Sequence, residues 1–284
     1  MHKVLLLLFF LPSLLFAQPK QIVFTNVTVI DATGAPAKPG MTVVISGGRI
    51  AALGKTGKVR VPKNAQTIDA TGKFLIPGLW DMHAHLSYAG ETAFPALVAS
   101  GITGVRDMGG DLNQIDGWRR EVANGMRLGP YIVRAGSFVD GVKPDAKYRL
   151  SVTNEIEARQ AVRTLKKQGV DFIKIHNALP RDAFFALSDE ARKRHIPFVV
   201  HLPRGVSAAE ASDAGAKSIE HIEILLESAL YRKDATAKTL KEAYEENTGE
   251  KGAALFARFV KNGTYYVPTL VAYRAFVRAG KDEQ

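Results

Sequence analysis

The first 17 residues have a pattern of hydrophobic and polar positions that differs from the rest of the chain. Residues 4–16 form an almost unbroken apolar run after a short basic start that contains Lys3, and polar residues follow Ala17. This order is typical of a secretory signal peptide over residues 1–17, cleaved after Ala17. The apolar run is short for a membrane span, which needs about 20 residues. We therefore expect an exported, periplasmic or secreted protein without a stable membrane anchor, with an uncleaved anchor as the alternative.

Residues 18–73 contain short β-rich segments separated by turns rich in Gly and Pro. Ile22–Phe24 and Val27–Ile30 are both β-rich and precede the second strand, Met41–Ile45. The third and fourth strands are predicted over Arg49–Leu53 and Gln66–Asp69. No helical period occurs before residue 90. The pattern predicts a small antiparallel β unit, expected to belong to an N-terminal β-sandwich.

From Phe74 to Gln284 strands and helices alternate about every 30 residues, which predicts parallel strands joined by right-handed crossovers. The first strand is predicted over Phe74–Leu79 and runs into residues 80–85; six more end near residues 108, 135, 176, 201, 222 and 269. A long helical region is predicted over Ala235–Lys261. Seven such units favour an α/β fold of the TIM type, a (β/α)8 barrel lacking its eighth strand. No Gly-x-Gly-x-x-Gly follows the first strand, which disfavours a dinucleotide-binding sheet.

Composition narrows the chemistry. The 284 residues are 46% hydrophobic and 23% charged, as in ordinary globular proteins. The absence of cysteine excludes disulfide scaffolds, Cys-ligated zinc, Fe–S clusters and thiol catalysis. The formal charge is +10, but Lys and Arg are spread along the chain without a long basic run, so we expect no nucleic-acid partner.

The histidines are placed unevenly. Apart from His2, only His195 lies on a helix end, and the others follow predicted strands: His83, His85, His176, His201 and His221. In TIM-type barrels the carboxyl ends of the strands carry the chemistry. Two residues apart on an extended segment, His83 and His85 face the same side. Four histidines from three strands, with His176 left open, predict a metal site.

Lys174 is the second unusual residue, because it lies within the apolar strand Phe172–Ile175. An unpaired buried ammonium is costly, and burial lowers its pKa. A salt bridge, or a side chain on the opposite face, would explain it simply. The alternative is that the neutral amine captures carbon dioxide and becomes an anionic carbamate that bridges two divalent cations.

The motifs that carry these residues resemble the amidohydrolase superfamily of metal-dependent hydrolases, in the imidazolonepropionase-like and prolidase-type branch. The resemblance runs from about residue 20 to the end and includes Gly47–Ile50 of the β unit. Its barrel motifs are Phe74–His85, Gly104–Gly110, Ile173–Ile175, Val200–His201 and Ser218–His221.

The resemblance implies a binuclear site for two divalent metal ions, with zinc as the expected metal. His83 and His85 would bind one ion, carboxylated Lys174 would bridge both, and His201 and His221 would bind the other. It also implies that a metal-activated hydroxide attacks an amide-type C–N bond of a small molecule, such as a dipeptide or a cyclic amide.

The family also uses an Asp at the end of strand eight, and no residue here takes that place. The only later acidic residues, Asp282 and Glu283, lie on a polar tail, so no catalytic residue is assigned. The sequence predicts an incomplete barrel that is poorly soluble and inactive. The alternatives are a catalytically inactive fragment that binds metal at most, or a metal-independent binding protein. The roles of His176, Arg204 and Tyr231, the substrate and the oligomeric state stay open.

Overall fold

The computed structural model describes residues 21–142, 147–225 and 236–275. The predicted signal peptide lies outside them. Contacts divide the chain into two compact units, one ending at Pro77 and the other beginning at Gly78, whereas the sequence places the boundary after Lys73. No helix in the described ranges is long and apolar enough to cross a membrane.

The first unit is a five-stranded sheet around β1. Its strands are β1 (Ile22–Val29), β2 (Lys38–Ser46), β3 (Arg49–Lys55), β4 (Gln66–Asp69) and β5 (Phe74–Leu75). The order is β3-β2-β1-β4, with β5 also paired to β1. The prediction of an antiparallel unit is wrong for β4 and β5, which run parallel to β1. The described residues of this unit form one sheet, so the second layer of a sandwich stays a prediction.

The predicted strand Phe74–Leu79 is wrong as a single element. Phe74–Leu75 pairs with β1 in the first unit, and the next strand begins at Leu79. Pro77 has no backbone N–H to donate to a sheet, and Gly78 has no side chain to pack, so the apolar run is interrupted between the units.

The second unit contains only parallel strand pairs in its described part. Its strands are β6 (Leu79–Ala84), β7 (Ile102–Asp107), β8 (Tyr131–Arg134), β9 (Phe138–Asp140), β10 (Arg149–Ser151), β11 (Ile173–Ile175), β12 (Phe198–Val200), β13 (Ser218–Glu220) and β14 (Tyr265–Val267). They form the orders β6-β7-β8 and β10-β9-β11-β12-β13-β14. Asp171 N donates to Arg134 O, and His176 N donates to Val139 O. Residues 131–140 therefore connect the two groups of strands through β8 and β9. The sequence did not predict β9 or β10.

Helices connect these strands. They are α1 (Leu86–Ala89), α2 (Ala93–Ala99), α3 (Leu112–Ala123), α4 (Glu155–Lys167), α5 (Arg181–Lys193), α6 (Ala208–Asp213), α7 (Ala237–Thr248) and α8 (Glu250–Asn262). Side-chain caps fix several starts: Asp111 accepts from Gln114 N, and Asn154 accepts from Glu157 N.

The predicted helical region Ala235–Lys261 contains two helices, α7 and α8. Gly249 leaves the helical conformation between α7 and α8, and residue 235 lies outside the described residues. A Cβ at Gly252 would meet Asn247 O at 2.0 Å, so glycine permits the close approach of the two helices.

The largest core of the second unit lies between the strands and helices α4 and α5. Phe184 and Leu187 are fully buried in it, together with Ile173 and Ile175 of β11. α5 buries this face because Ala183, Phe184, Leu187 and Ala191 recur at helical spacing. This core packs against the strands whose carboxyl ends carry the predicted site.

Truncation of this core will destabilise the second unit. We expect Leu187→Ala to lower the free energy of unfolding by about 2–5 kcal/mol, because it leaves a cavity in a fully buried position. Leu128→Ala is the matched control, since Leu128 is 69% exposed, and its effect should stay within about 0.5 kcal/mol. Urea unfolding followed by circular dichroism measures both, and equal losses would contradict this description of the core.

Candidate functional site

Five histidines surround one lysine at the carboxyl ends of the strands. They line a cavity of about 370 Å³, whose walls are His83, His85, Lys174, His176, His201, His221, Glu223, Thr269, Ala272 and Tyr273. All five residues predicted as metal ligands from the sequence are thus brought together, and His176 joins them. Arg204 is exposed and lines a neighbouring cavity, whereas Tyr231, Asp282 and Glu283 lie outside the described residues.

The imidazole rings form a continuous arc. The ring centres are 5.4 Å apart for His85 and His83, 4.6 Å for His83 and His221, 4.5 Å for His221 and His201, and 4.6 Å for His201 and His176. With Zn–N distances of about 2.0–2.1 Å, two imidazoles on one tetrahedral ion have ring centres about 5 Å apart. Neighbouring rings therefore have a spacing that fits shared ligation.

His85 is held by backbone on the loop after β7. It precedes α1, and its Nδ1 lies 3.1 Å from Gly109 O. A carbonyl only accepts, so Nδ1 carries the proton and Nε2 carries the lone pair. Asp107 accepts from Leu86 N at 2.8 Å and from Gly109 N at 3.3 Å. Asp107 thus fixes the backbone on both sides of this contact.

His83 contacts a buried carboxylate from a distant strand. Its Nδ1 lies 2.9 Å from Oε2 of Glu220, and Arg106 Nη2 donates to Oε1 of the same carboxylate at 2.7 Å. Burial acts to raise the pKa of Glu220, but the hydrogen bond with His83 and the charges of Lys174 and Arg106 outweigh it and lower the pKa to about 2. Glu220 is therefore ionised at neutral pH.

Lys174 lines the cavity and is 1% exposed. Its Nζ has no hydrogen-bond partner among the residues that the structure describes. Burial lowers the pKa of Lys174 to about 8, although the charge of Glu220 opposes the shift. The side chain faces the cavity, and no salt bridge to it is found within the described ranges. A larger fraction of the Lys174 amine is therefore neutral at pH 7 than in an exposed lysine.

The histidines of β12 and β13 contact polar groups on later segments. His201 Nε2 lies 2.7 Å from Glu223 Oε2, and Tyr273 OH donates to Glu223 Oε1 at 3.0 Å. His221 Nδ1 lies 2.9 Å from Thr269 Oγ1, and both residues have positive φ, +73° and +51°. Such conformations are uncommon outside glycine and recur at functional sites.

His176 takes part in the cavity rather than lying apart on a loop. Its Nδ1 is 3.1 Å from Asp140 Oδ2 at the end of β9. It also borders a second cavity of about 320 Å³, with Tyr88, Met108 and Phe138 as apolar walls. His176, whose role the sequence leaves open, therefore lines the cavity beside the proposed ligands.

Four charged residues that contact the site were not predicted from the sequence: Arg106, Asp107, Glu220 and Glu223. A signal was present for the first three, because each is a charged residue at a buried strand position. That is the same signal that singled out Lys174. Glu223 had none, since it lies in a short 3-10 turn, Ile222–Leu225, that the sequence did not predict.

The donor set suits divalent metal ions. Burial lowers the pKa of His83 to about 4 and that of His221 to about 2, and also lowers the pKa of His85. These rings are neutral at pH 7, as ligation requires. In the described part of the chain, no three His, Asp or Glu side chains already converge closely enough to hold an ion. The ring spacing and the unpartnered, buried Lys174 amine nevertheless fit such a site.

Residues 74–258 match the Amidohydrolase family, so the chain belongs to that family. An imidazolonepropionase from Acidiphilium cryptum (strain JF-5) is 27% identical over 246 residues, which are 80% of this chain and 60% of the relative. A putative prolidase from Bifidobacterium longum has a TM-score of 0.62 and 26% identity over 72% of this chain and 55% of its own. A Xaa-Pro dipeptidase with bound methionine has a TM-score of 0.68 and 21% identity, over 92% and 70%.

These similarities confirm the amidohydrolase resemblance and a TIM-barrel-type α/β fold. The chain spans less than two thirds of the imidazolonepropionase and of the putative prolidase. Activity and substrate of the whole protein are therefore proposals.

The buried amine of Lys174 should destabilise the metal-free protein. Lys174→Met keeps similar volume without a polar group, so in EDTA at pH 7 we expect the free energy of unfolding to rise by about 1–3 kcal/mol. The folded-state pKa of about 8 lies below the usual 10.5, and between these values the unfolded chain binds more protons. The wild-type protein should therefore gain stability relative to the variant as the pH rises from about 8 to about 10.5.

Chemical denaturation at several pH values measures this difference. Lys217→Met is the control, since Lys217 is exposed, and its effect should stay within about 0.5 kcal/mol. A Lys174→Met protein that is less stable than wild type at pH 7 would show that the amine is satisfied in solution.

Proposed function

We propose that this chain forms the catalytic part of a metal-dependent hydrolase that cleaves an amide-type C–N bond in a small molecule, such as a dipeptide or a cyclic amide. The observation that carries the proposal is the convergence of His83, His85, His201 and His221 around the buried amine of Lys174. Family membership supports hydrolysis of C–N bonds. The names of the imidazolonepropionase and of the prolidase-like proteins support cyclic amides and dipeptides as the substrate classes.

Two groups of ligands would hold two divalent ions, with zinc as the expected metal. His83 and His85 would hold one ion, and His201 and His221 the other. Lys174 would bridge them after Nζ forms a bond to the carbon of carbon dioxide and loses a proton, which leaves an anionic carbamate. When bound, the ions supply Lewis acidity and lower the pKa of a ligated water.

The chain's own residues prepare this site before any ion binds. Burial keeps the rings of His83, His85 and His221 neutral, and Asp107 holds the backbone that orients His85. The apolar walls beside His85 and His176, formed by Tyr88, Met108 and Phe138, provide space for an apolar part of a substrate. Apolar side chains lower the local dielectric constant, which strengthens electrostatic interactions nearby.

Metal content tests the ligand assignment. After reconstitution with zinc and bicarbonate, we expect about two equivalents of zinc in the wild-type protein and a loss of about one or more in His83→Asn or His201→Asn. His195→Asn is the matched control, because His195 is exposed and outside the cavity. Elemental analysis of the dialysed protein gives the count. Less than half an equivalent in the wild type, or unchanged zinc in both site variants, would favour a metal-independent binding protein.

A hydrolysis screen tests the reaction. The sequence alone predicts an inactive chain, whereas the cavity lined by all five proposed ligands leads us to expect activity. The zinc-loaded protein should release amino acids from dipeptides, N-acyl amino acids or cyclic amides, and His201→Asn should reduce kcat/KM by at least about 100-fold. The His195→Asn control should keep the wild-type rate. Metal-loaded protein that hydrolyses none of these substrates would favour a fragment that binds metal without catalysing, and equal rates in His201→Asn and the control would identify a contaminating hydrolase.

A further inference from the structure

A buried chain of polar contacts joins three strands behind His83. Arg106 of β7 extends to Glu220 of β13, and Glu220 contacts the ring of His83 on β6. Arg106 and Glu220 are 8% and 1% exposed, so both charges are withdrawn from water. β6 and β13 are not neighbours in the strand order. This contact therefore links parts of the second unit that the sheet does not pair directly.

We propose that the Arg106–Glu220 ion pair positions His83, fixing its tautomer and ring orientation so that Nε2 is the nitrogen left for a metal ion. Both residues act through His83 and are positioning residues. The proposal rests on the proposed function only for its metal-binding consequence, because the tautomer exists in the metal-free protein.

The two oxygens of the Glu220 carboxylate have different hydrogen-bond partners. Oε1 of Glu220 accepts from Arg106 Nη2 and from the hydroxyl of Ser218. Oε2 lies 2.9 Å from His83 Nδ1. A guanidinium remains charged at any ordinary pH and cannot accept a hydrogen bond. It therefore keeps Glu220 as a carboxylate, and Oε2 acts as an acceptor only.

The contact with Glu220 determines which nitrogen of the neutral His83 ring carries the proton. Because Oε2 accepts, Nδ1 of the neutral ring must carry the proton. The lone pair then lies on Nε2, the other nitrogen of a ring that lines the cavity. A metal-binding histidine commonly donates its second N–H to a carboxylate in this way, which fixes the ring and raises its basicity.

Two further hydrogen bonds of Arg106 hold the Arg106–Glu220 ion pair in place. Arg106 Nε donates to Met82 O at 2.7 Å, and Nη1 donates to Ser218 Oγ at 2.8 Å. Met82 precedes His83, so one guanidinium holds both the backbone beside the histidine and the carboxylate that contacts its ring. Lysine has no planar fork with which to make all these contacts at once.

The tautomer is measured directly by two-bond ¹H–¹⁵N correlation spectra of the metal-free, ¹⁵N-histidine-labelled protein. We expect the Nδ1–H tautomer for His83 in the wild type and a loss of this selection in Glu220→Gln, whose amide presents either a donor or an acceptor. Glu223→Gln is the matched control, since Glu223 contacts His201 instead; it should leave the His83 tautomer unchanged. An Nε2–H tautomer in the wild type, or an unchanged tautomer in Glu220→Gln, would overturn the proposal.

A second variant separates a loss of the His83 tautomer from a folding defect. Glu220→Asp keeps a negative charge near Arg106 but shortens the side chain by one methylene, so the contact with His83 is lost. We expect it to lose the tautomer selection as Glu220→Gln does, while Ser218→Ala, which leaves the Arg106–Glu220 contact in place, keeps it. Near-ultraviolet circular dichroism confirms the fold of each variant. A folded Glu220→Asp protein with the wild-type tautomer would contradict the proposal.

Zinc affinity, measured by competition with a chromogenic chelator, separates this proposal from the proposed function. We expect Glu220→Gln and Glu220→Asp to bind zinc about 10–100-fold more weakly than the wild type. If the tautomer depends on Glu220 but the wild type binds no zinc, the proposed function fails and the positioning of His83 stands. If zinc binds equally to wild type and both variants, the positioning role in metal binding is wrong and the proposed function stands.

Discussion

The burial of charge behind the strand ends is the constraint on which the rest of the site depends. Lys174, Arg106 and Glu220 are all nearly inaccessible to water. Arg106 and Glu220 neutralise each other, so an ammonium at Lys174 would leave one uncompensated positive charge. Burial lowers the pKa of Lys174, and burial together with the charge of Lys174 lowers the pKa of His83 and of His221. A site built this way favours neutral nitrogen donors.

The same charges explain why a carbamate suits this cavity. Conversion of Lys174 from an ammonium to a carbamate changes its charge from +1 to −1, so the sum over Lys174, Arg106 and Glu220 changes from +1 to −1. A negative charge at Lys174 would attract divalent cations, whereas an ammonium would repel them. Stability and function therefore oppose each other at Lys174, as is usual where a polar group is buried without a partner.

The sequence was most informative where chemistry and local pattern coincide. A histidine at the end of an apolar run, or a lysine inside one, is visible without the fold, so all five residues proposed as ligands could be named from the sequence. The contact between His83 and Glu220 joins residues 137 positions apart, and nothing local to either residue predicts it. The parallel pairing of β4 and β5 with β1 was missed for the same reason. Pro77 is a residue that interrupts strands, but the apolar residues on both sides of it favoured one continuous strand over Phe74–Leu79.

The two histidines of the His-x-His segment are fixed by acceptors of different chemistry. His83 depends on one carboxylate, which a substitution at Glu220 removes, whereas His85 depends on the carbonyl of Gly109, which every residue retains. Gly109 itself has a φ of +137°, and a Cβ there would meet Phe138 at 2.6 Å. A side chain at position 109 would therefore move the backbone and the orientation of His85 with it. The His83 position is adjustable through a single side chain, but the His85 position changes only if the loop after β7 changes its path.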